Sequence, residues 1–588
     1  MSSLENLTSL RKNFNLEIDE KQWEFFDQLD CLISDWPGQL PNLRDIFCPE
    51  EIECLLFLSI RYMLSSHMFE DKSYYQGERF IDFVVRSGYK DESKFDEDGK
   101  PSSLCRTTPL HRASRSRFLY QDIMVRELFK IYDRFDLNYT DELGLSHFHI
   151  ACESGCDEIV VKFLELGQDP NLIWPETGYS PLHLALTNKC YEVAESLLKH
   201  GANPNLADDE GSTPLHLICI ESDDDDDGDD DSMAEKLFKI IDDRHEPLLI
   251  DAQDKSGNTP LHLALTRRCT MMVQLLLKRG ANPNLIDANG LTPLHFSCMR
   301  IDDDDDLVKM LLKFSIDEHR PVKVDAVDNK SGQTPLHHAL AHGKKPRIIR
   351  ALLTGGADPN LADNNRFTAL HTICNRYDDD AELIKMFFET CKGVNRMVQV
   401  DARDYLGWTP LQRAVASFLL DTINVLLDNG ADLSNFVFPS VAQFNEKFSS
   451  ERWFDVSSKS KLILASGLLA VVERLDERGY ELTQKVALTI MTLFANHGLF
   501  AKSTDLDKSI YEDEEFTTEV KKIMIIPALS LYDLIQLQPH EAEKRLTYTD
   551  YFKFCNSNKL TIIPRIYFKA CIHVLRHNLK NQLTKFFF

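Results

Sequence analysis

Along the middle of the chain, short apolar stripes alternate with polar turns in a pattern that recurs. In the copy beginning at Thr259, Leu261, Leu263 and Leu265 fall within one short helix, and Val273, Leu275, Leu276 and Leu277 form the apolar stripe of a second. Thr259 is a good helix N-cap, and Pro260 suits the first helical position, where its missing N–H costs nothing. Gly280 stops the second helix, since glycine tolerates the left-handed conformation of a C-cap. Asn282-Pro283-Asn284 and Asp287-Ala288-Asn289-Gly290 then predict a connecting hairpin. The tetrapeptide Thr-Pro-Leu-His, or a near copy, starts at Thr108, Ser146, Ser180, Thr213, Thr259, Thr292, Thr334, Thr368 and Thr409, in steps of 33 to 46 residues. One such unit cannot bury its own apolar face; stacked neighbours can.

Short and long copies alternate. The copies at Ser146, Thr213, Thr292 and Thr368 place Cys152, Cys219, Cys298 and Cys374 six residues on, where those at Ser180, Thr259, Thr334 and Thr409 place Leu186, Leu265, Leu340 and Val415. A pair of repeats is therefore the unit that duplicated, and the thiols read as small core side chains. This pattern resembles the ankyrin repeat, a β-turn plus two antiparallel helices, with nine copies over 108–435. The resemblance implies an all-α ankyrin-repeat solenoid of helix pairs with short hairpin loops. A helical region, 1–107, precedes it; in it Ile52–Leu64 and Phe80–Gly88, followed by Asp96–Lys100, read as a degenerate capping repeat. Residues 436–498 read as a degenerate repeat or connector, with helices over Lys459–Leu475 and Thr483–Asn496 stopped near Gly479 and Gly498. Residues 499–588 form a distinct C-terminal domain.

The long copies carry aspartate runs at Asp223–Asp227 with Asp229–Asp231, at Asp302–Asp306 and at Asp378–Asp380, each between the two helices of its repeat. They read either as an acidic comb that steers a basic partner or, with the greater weight, as solvated loop expansions. The net charge of −27 argues against a general nucleic-acid binder. The 14 cysteines are scattered, which fits reduced thiols in the cytoplasm, or alternatively the nucleus. Neither a secretory leader nor a membrane span is expected.

The C-terminal segment is dense in apolar residues. Ser530-Leu531-Tyr532-Asp533-Leu534-Ile535, then Thr547-Tyr548-Thr549-Asp550-Tyr551-Phe552-Lys553-Phe554, then a helix led by Pro564 with Tyr567, Cys571, Val574, Leu575 and Leu579 on one face, close the chain. Behind an ankyrin array this segment resembles the PRANC domain (pox proteins, repeats of ankyrin, C-terminal) of poxviruses, bacterial endosymbionts and parasitoid wasps. The resemblance implies an F-box-like fold that docks the Skp adaptor of a cullin–RING ubiquitin ligase. Carried over, it nominates Ile563, Pro564, Phe568, Cys571 and Leu575, supported by Leu531 and Leu534. The competing reading is that these residues simply close the last repeat.

No phosphate loop, nucleophile elbow, dinucleotide turn or Cys-x-x-Cys pair occurs in the sequence. Eight of the 19 histidines sit at the fourth position of the repeat tetrapeptide, where a structural role bridging neighbouring turns outweighs metal binding. The expectation is a protein with no enzyme activity, no metal and no cofactor. Its hairpin tips, at Asp209, Glu210, Asp254, Lys255, Asp287, Asn289, Asn329, Lys330, Asn364, Arg366 and Tyr405, are the candidates for holding a target protein. Two functions follow: an adaptor that brings the target to a cullin–RING ligase, or a scaffold that sequesters a basic partner such as a transcription factor.

Overall fold

The computed structural model describes residues 3–13, 19–34, 36–65, 72–92, 104–116, 121–221, 230–244, 247–300, 302–317, 321–343, 345–376, 378–448, 458–498, 514–563 and 565–587. Among them lie thirty α-helices and one short antiparallel pair, Met524–Ile526 with Leu529–Ser530. No described helix is long and apolar enough to cross a membrane. The chain forms two compact units, Met1–Phe296 with Lys313–Arg320 and Ser297–Leu312 with Pro321–Phe588, so the division runs through the sixth repeat.

Each repeat tetrapeptide opens a helix at the residue after its Thr or Ser. The first unit contains Pro109–Ser114, His147–Glu153, Pro181–Thr187, Pro214–Glu221 and Pro260–Arg267, and the second Pro335–Ala341, Ala369–Cys374 and Pro410–Ala416. A second helix follows each, for example Tyr191–Lys199, Thr270–Lys278 and Leu420–Asp428. Leu261, Ala264, Leu265, Met272, Val273, Leu276 and Leu277 are buried, which is the apolar seam that one pair cannot close alone. Long copies put their extra residues partly into longer second helices, such as Ala381–Gly393 with 13 residues against 9 in Leu420–Asp428. Burial drives the thiols of Cys152 and Cys219 well up and that of Cys298 up to about 12, which keeps them protonated and inert inside the seam.

In the first unit, Pro49–Ser65 and Lys72–Arg86 form a helix pair that stacks on the helices of the first repeat. Phe26 lies between Tyr62 and Phe80, with ring centroids at 4.6 and 5.6 Å. Arg106 joins this pair to the first repeat by bonding Glu53 at 2.8 Å and Asp91 at 3.0 Å. The Asp96–Lys100 part of the expected capping repeat lies outside the described residues.

The second unit contains a helix pair that the sequence reading placed one helix too late. Val441–Phe448 packs on Pro410–Ala416, and Ser458–Glu477 packs on Leu420–Asp428, so the degenerate pair is 441–448 with 458–477. Its cap is Ser440, whose N–H donates to Gln443 Oε1 at 2.7 Å; Ser-Val-Ala-Gln stands here for Thr-Pro-Leu-His. Gln484–Asn496 then packs on Val441–Phe448, again in first-helix position. The junction with the C-terminal helices is aromatic. Phe418 has φ +57°, a left-handed turn position held by Gly155, Lys189, Arg268 and Gly343 in other repeats. Here it is buried against Phe444 and Phe552, over Gly467, where an added Cβ would lie 2.9 Å from its ring. Glu473 completes the junction by accepting the N–H groups of Tyr548 at 3.3 Å and Thr549 at 3.1 Å, capping Tyr548–Asn556.

In the second and third aspartate runs, one carboxylate each has a role that neither expectation included. Asp303 accepts the N–H groups of Arg347 and Ile348 at 3.0 and 3.1 Å, and Asp379 those of Asp421 and Thr422 at 2.7 and 2.9 Å. Each carboxylate therefore caps the second helix of the following repeat, using donors that no turn of that helix can satisfy. Asp305 adds an ion pair to Arg347 at 2.8 Å. Asp223–Asp227 and Asp229 lie outside the described residues.

Replacing Asp303 or Asp379 by alanine is expected to lower the stability of the intact chain by about 1 kcal/mol each. Asp306→Ala, at an exposed residue of the same run, should cost less. Urea denaturation followed by circular dichroism measures the difference; equal losses at all three positions would exclude specific capping.

Candidate functional site

The hairpins between repeats are positioned by histidine. In the first unit the N–H of Ser180 donates to His183 Nδ1 at 3.2 Å, and His183 Nε2 reaches the carbonyl of Ser212 at 3.0 Å. The next residue, Thr213, starts the same relay through His216 to the Asn258 carbonyl, and Thr259 repeats it through His262 to Leu291. The second unit repeats it from Thr334 through His337 to Phe367, and from Thr368 through His371 to Trp408. An N–H donor facing Nδ1 and a carbonyl facing Nε2 select the neutral tautomer with its hydrogen on Nε2. Burial lowers the pKa of His183, His216, His262, His337 and His371, and takes His149 down to about 4. In the ninth repeat Gln412 makes the same two bonds, from Thr409 N–H at 2.9 Å and to the Val437 carbonyl at 2.9 Å.

An aspartate near most hairpin tips folds the turn. Asp208 Oδ1 accepts the N–H groups of Glu210 and Ser212, Asp363 Oδ1 those of Asn365 and Phe367, and Asp404 Oδ1 those of Leu406 and Trp408. Successive tips are then laced by their backbones. In the first unit Lys255 N–H donates to the Glu210 carbonyl and Ala288 N–H to that of Ser256, both at 2.8 Å. In the second, Asn364 N–H donates to the Ser331 carbonyl at 2.9 Å and Tyr405 N–H to that of Asn365 at 3.0 Å. Gly257, with φ +78°, allows this approach: an added Cβ would stand 2.6 Å from the Ala288 nitrogen.

Because the backbone is occupied with lacing, most tip side chains are left to solvent. Asp209, Glu210, Lys255, Asn289, Asn329, Lys330, Asn364, Arg366 and Tyr405 are exposed. Two expected tip residues are not available. Asp254 is half-buried and accepts the Asn258 N–H at 2.8 Å, and Asp287 is buried and accepts those of Asn289 and Leu291. Both hold the turn. The spacing from each such aspartate to the following Thr or Ser, five residues in most repeats, is the sequence signal that marks the role. Sequence reading also passed over Leu406, exposed beside Tyr405.

The C-terminal candidates lie apart from these hairpins in sequence and face inward. Leu531, Leu534, Ile563, Cys571 and Leu575 are buried, Phe568 is half-buried, and Pro564 lies outside the described residues. The apolar face of Arg565–Phe587 packs on Ser458–Glu477, Leu531–Gln536 and Pro539–Glu543 of its own chain.

Comparison with known proteins bears on the repeats. The family model described as ankyrin repeats (3 copies) matches in six overlapping stretches, 110–208, 148–227, 182–287, 226–320, 272–363 and 341–436. The chain is 29% identical to the human transient receptor potential cation channel subfamily A member 1 over 185 residues, 32% of this chain and 16% of that one. It is 28% identical to the mouse B-cell lymphoma 3 protein homolog over 228 residues, 38% and 45% of the two chains. It is 26% identical to the chicken nuclear factor NF-kappa-B p105 subunit over 245 residues, 42% and 22%. The chain thus spans less than half the length of these curated relatives.

The histidine relay carries a pH dependence of known sign. An imidazole whose pKa is depressed by folding favours the native state fully above its unfolded value near 6.5. That contribution is lost as pH falls from there toward the folded value, about 4 for His149, because the unfolded chain binds the extra protons. The melting temperature is therefore expected to fall between pH 7 and pH 5. Changing His183 and His262 to glutamine, as at Gln412, should flatten the profile while keeping the fold; an unchanged slope by differential scanning calorimetry would remove the relay as its source.

Proposed function

Since the chain belongs to the ankyrin-repeat family, matched over more than half its length, we propose that it is a non-catalytic scaffold that holds another protein along its hairpin edge. The observation that carries this reading is the division of labour at the tips. Within each unit, backbone lacing and inward aspartates make the hairpin edge rigid, while Asp209 and Glu210 in the first and Lys330, Arg366 and Tyr405 in the second stay exposed. A rigid row of free side chains loses little conformational entropy when a partner arrives. Asp209 and Glu210 suit a basic segment of that partner. Similarity to a nuclear-factor subunit supports a transcription factor as the class of target.

The second reading is the ligase adaptor, in which residues of the C-terminal domain dock a Skp-type subunit of a cullin–RING ligase and ubiquitin transfer follows from proximity. It has in its favour the PRANC-like sequence, the exposure of Ile562 and the partial exposure of Phe568. The burial of Leu531, Leu534, Ile563, Cys571 and Leu575 weighs against it, and the scaffold ranks first.

A photo-crosslinking side chain placed at Glu210 or Tyr405 is expected to capture the target protein. One at Lys385, exposed on a second helix, is not. Adducts from Lys385 alone would overturn the edge as the binding face. Target half-life should stay constant whether or not the proteasome is inhibited. Shortened half-life together with recovery of Skp and cullin subunits, both lost on deleting 560–588, would install the adaptor reading instead.

A further inference from the structure

The two units differ in the charge they leave free at their tips. In the first, Glu142, Asp209 and Glu210 are exposed alongside Lys255. In the second the carboxylates are engaged: Asp328, Asp363 and Asp404 are buried and hold turn N–H groups, while Asp325 and Asp401 accept the N–H groups of Asp358 and Asp432. Lys330, Arg366 and Arg403 on the same three hairpins are exposed and form no ion pair among the described residues. Val327, Tyr405 and Leu406, at 54%, 55% and 42% exposure, give this edge apolar surface beside the cations.

We propose that the hairpin edge of the second unit receives an extended acidic segment of a partner protein, with Lys330, Arg366 and Arg403 each meeting a carboxylate and Tyr405 and Leu406 packing on an apolar side chain between them. This rests on the reading that the hairpin edge is the partner-binding face. The lacing at Ser331–Asn364 and Asn365–Tyr405 holds neighbouring tips at the spacing of stacked helices, about 10 Å. A peptide in the extended polyproline II conformation advances about 3.1 Å per residue with three residues per turn, so acids at every third position share one face about 9 Å apart. The match selects a segment with that period. Nucleic acid fits less well: three phosphate contacts bind weakly, and the rest of the chain, at a net charge of −27, repels a long polyanion.

The test uses the full chain and fluorescein-labelled probes: a peptide of four Glu-Ser-Phe triplets, its Lys-Ser-Phe and Gln-Ser-Phe counterparts, and a twelve-nucleotide oligothymidylate. The Glu peptide is expected to bind with the highest affinity, more weakly as salt rises. The combined Lys330→Glu, Arg366→Glu and Arg403→Glu variant should lose about tenfold in affinity, the sum of three exposed pairs. Lys385→Glu, on a second helix of the same unit and outside the hairpins, should leave it within about twofold. The neutral set Lys330→Gln, Arg366→Gln and Arg403→Gln, with an unchanged melting temperature, guards against misfolding. No binding of the Glu peptide, equal binding of the Gln peptide, indifference to the triple change, or tighter binding of the oligonucleotide would each overturn the proposal. Crosslinking of the natural partner from Tyr405 reads the parent proposal separately: if it persists while the charge test fails, the edge still binds protein and only its acidic preference is withdrawn.

Discussion

The repeats depend on a neutral imidazole used as a two-ended spacer. Its Nδ1 takes the otherwise orphaned N–H of a helix cap, and its Nε2–H is delivered to a carbonyl of the next hairpin, as at His183 and His262. A buried backbone group left unpaired would cost about 1–3 kcal/mol, so one side chain settles two such costs per repeat and fixes where the next repeat begins. Everything outward of this bond, the aspartate turns and the laced tips, takes its position from it. The glutamine at 412 shows that the geometry matters more than the ring, since an amide offers the same acceptor and donor.

A second economy concerns carboxylates. Asp303, Asp379 and Glu473 all cap helices that belong to a later element than their own. The strongly acidic composition, which in isolation suggests a solvated or steering surface, is in these places a set of connectors between neighbouring layers. What remains free to act at long range is smaller than the net charge implies, and within each unit its sign is set at the hairpins by which side chains the backbone has already claimed.

Much of this was legible in the sequence because stacking imposes a strict local grammar. Thr, Pro and the fourth-position histidine mark each first helix, and the apolar seam marks each pair, so all nine starts fall where the tetrapeptide puts them. The grammar failed where chemistry was conserved but letters were not. Ser440 and Gln443 make the cap of a Thr-Pro-Leu-His copy without resembling one, so the pair after the ninth repeat was displaced by a helix. Asp303 and Asp379 misled for a different reason: their partners are backbone N–H groups some 42 to 45 residues away, which no local pattern reveals. Asp254 and Asp287 are set apart from free tip residues in sequence only by their five-residue spacing to Thr259 and Thr292, and their turn hydrogen bonds show what that spacing means.

Phe418 sits at a turn that elsewhere accepts glycine, lysine or arginine, yet here it fills a notch that Gly467 leaves open. Upstream joints are interchangeable, so tandem duplication of a two-repeat module can lengthen or shorten the ruler without redesign. The joint after the ninth copy is bespoke. Evolution, or an engineer, can therefore vary the reach of the array freely at its interior while the terminal seal must be inherited as one piece.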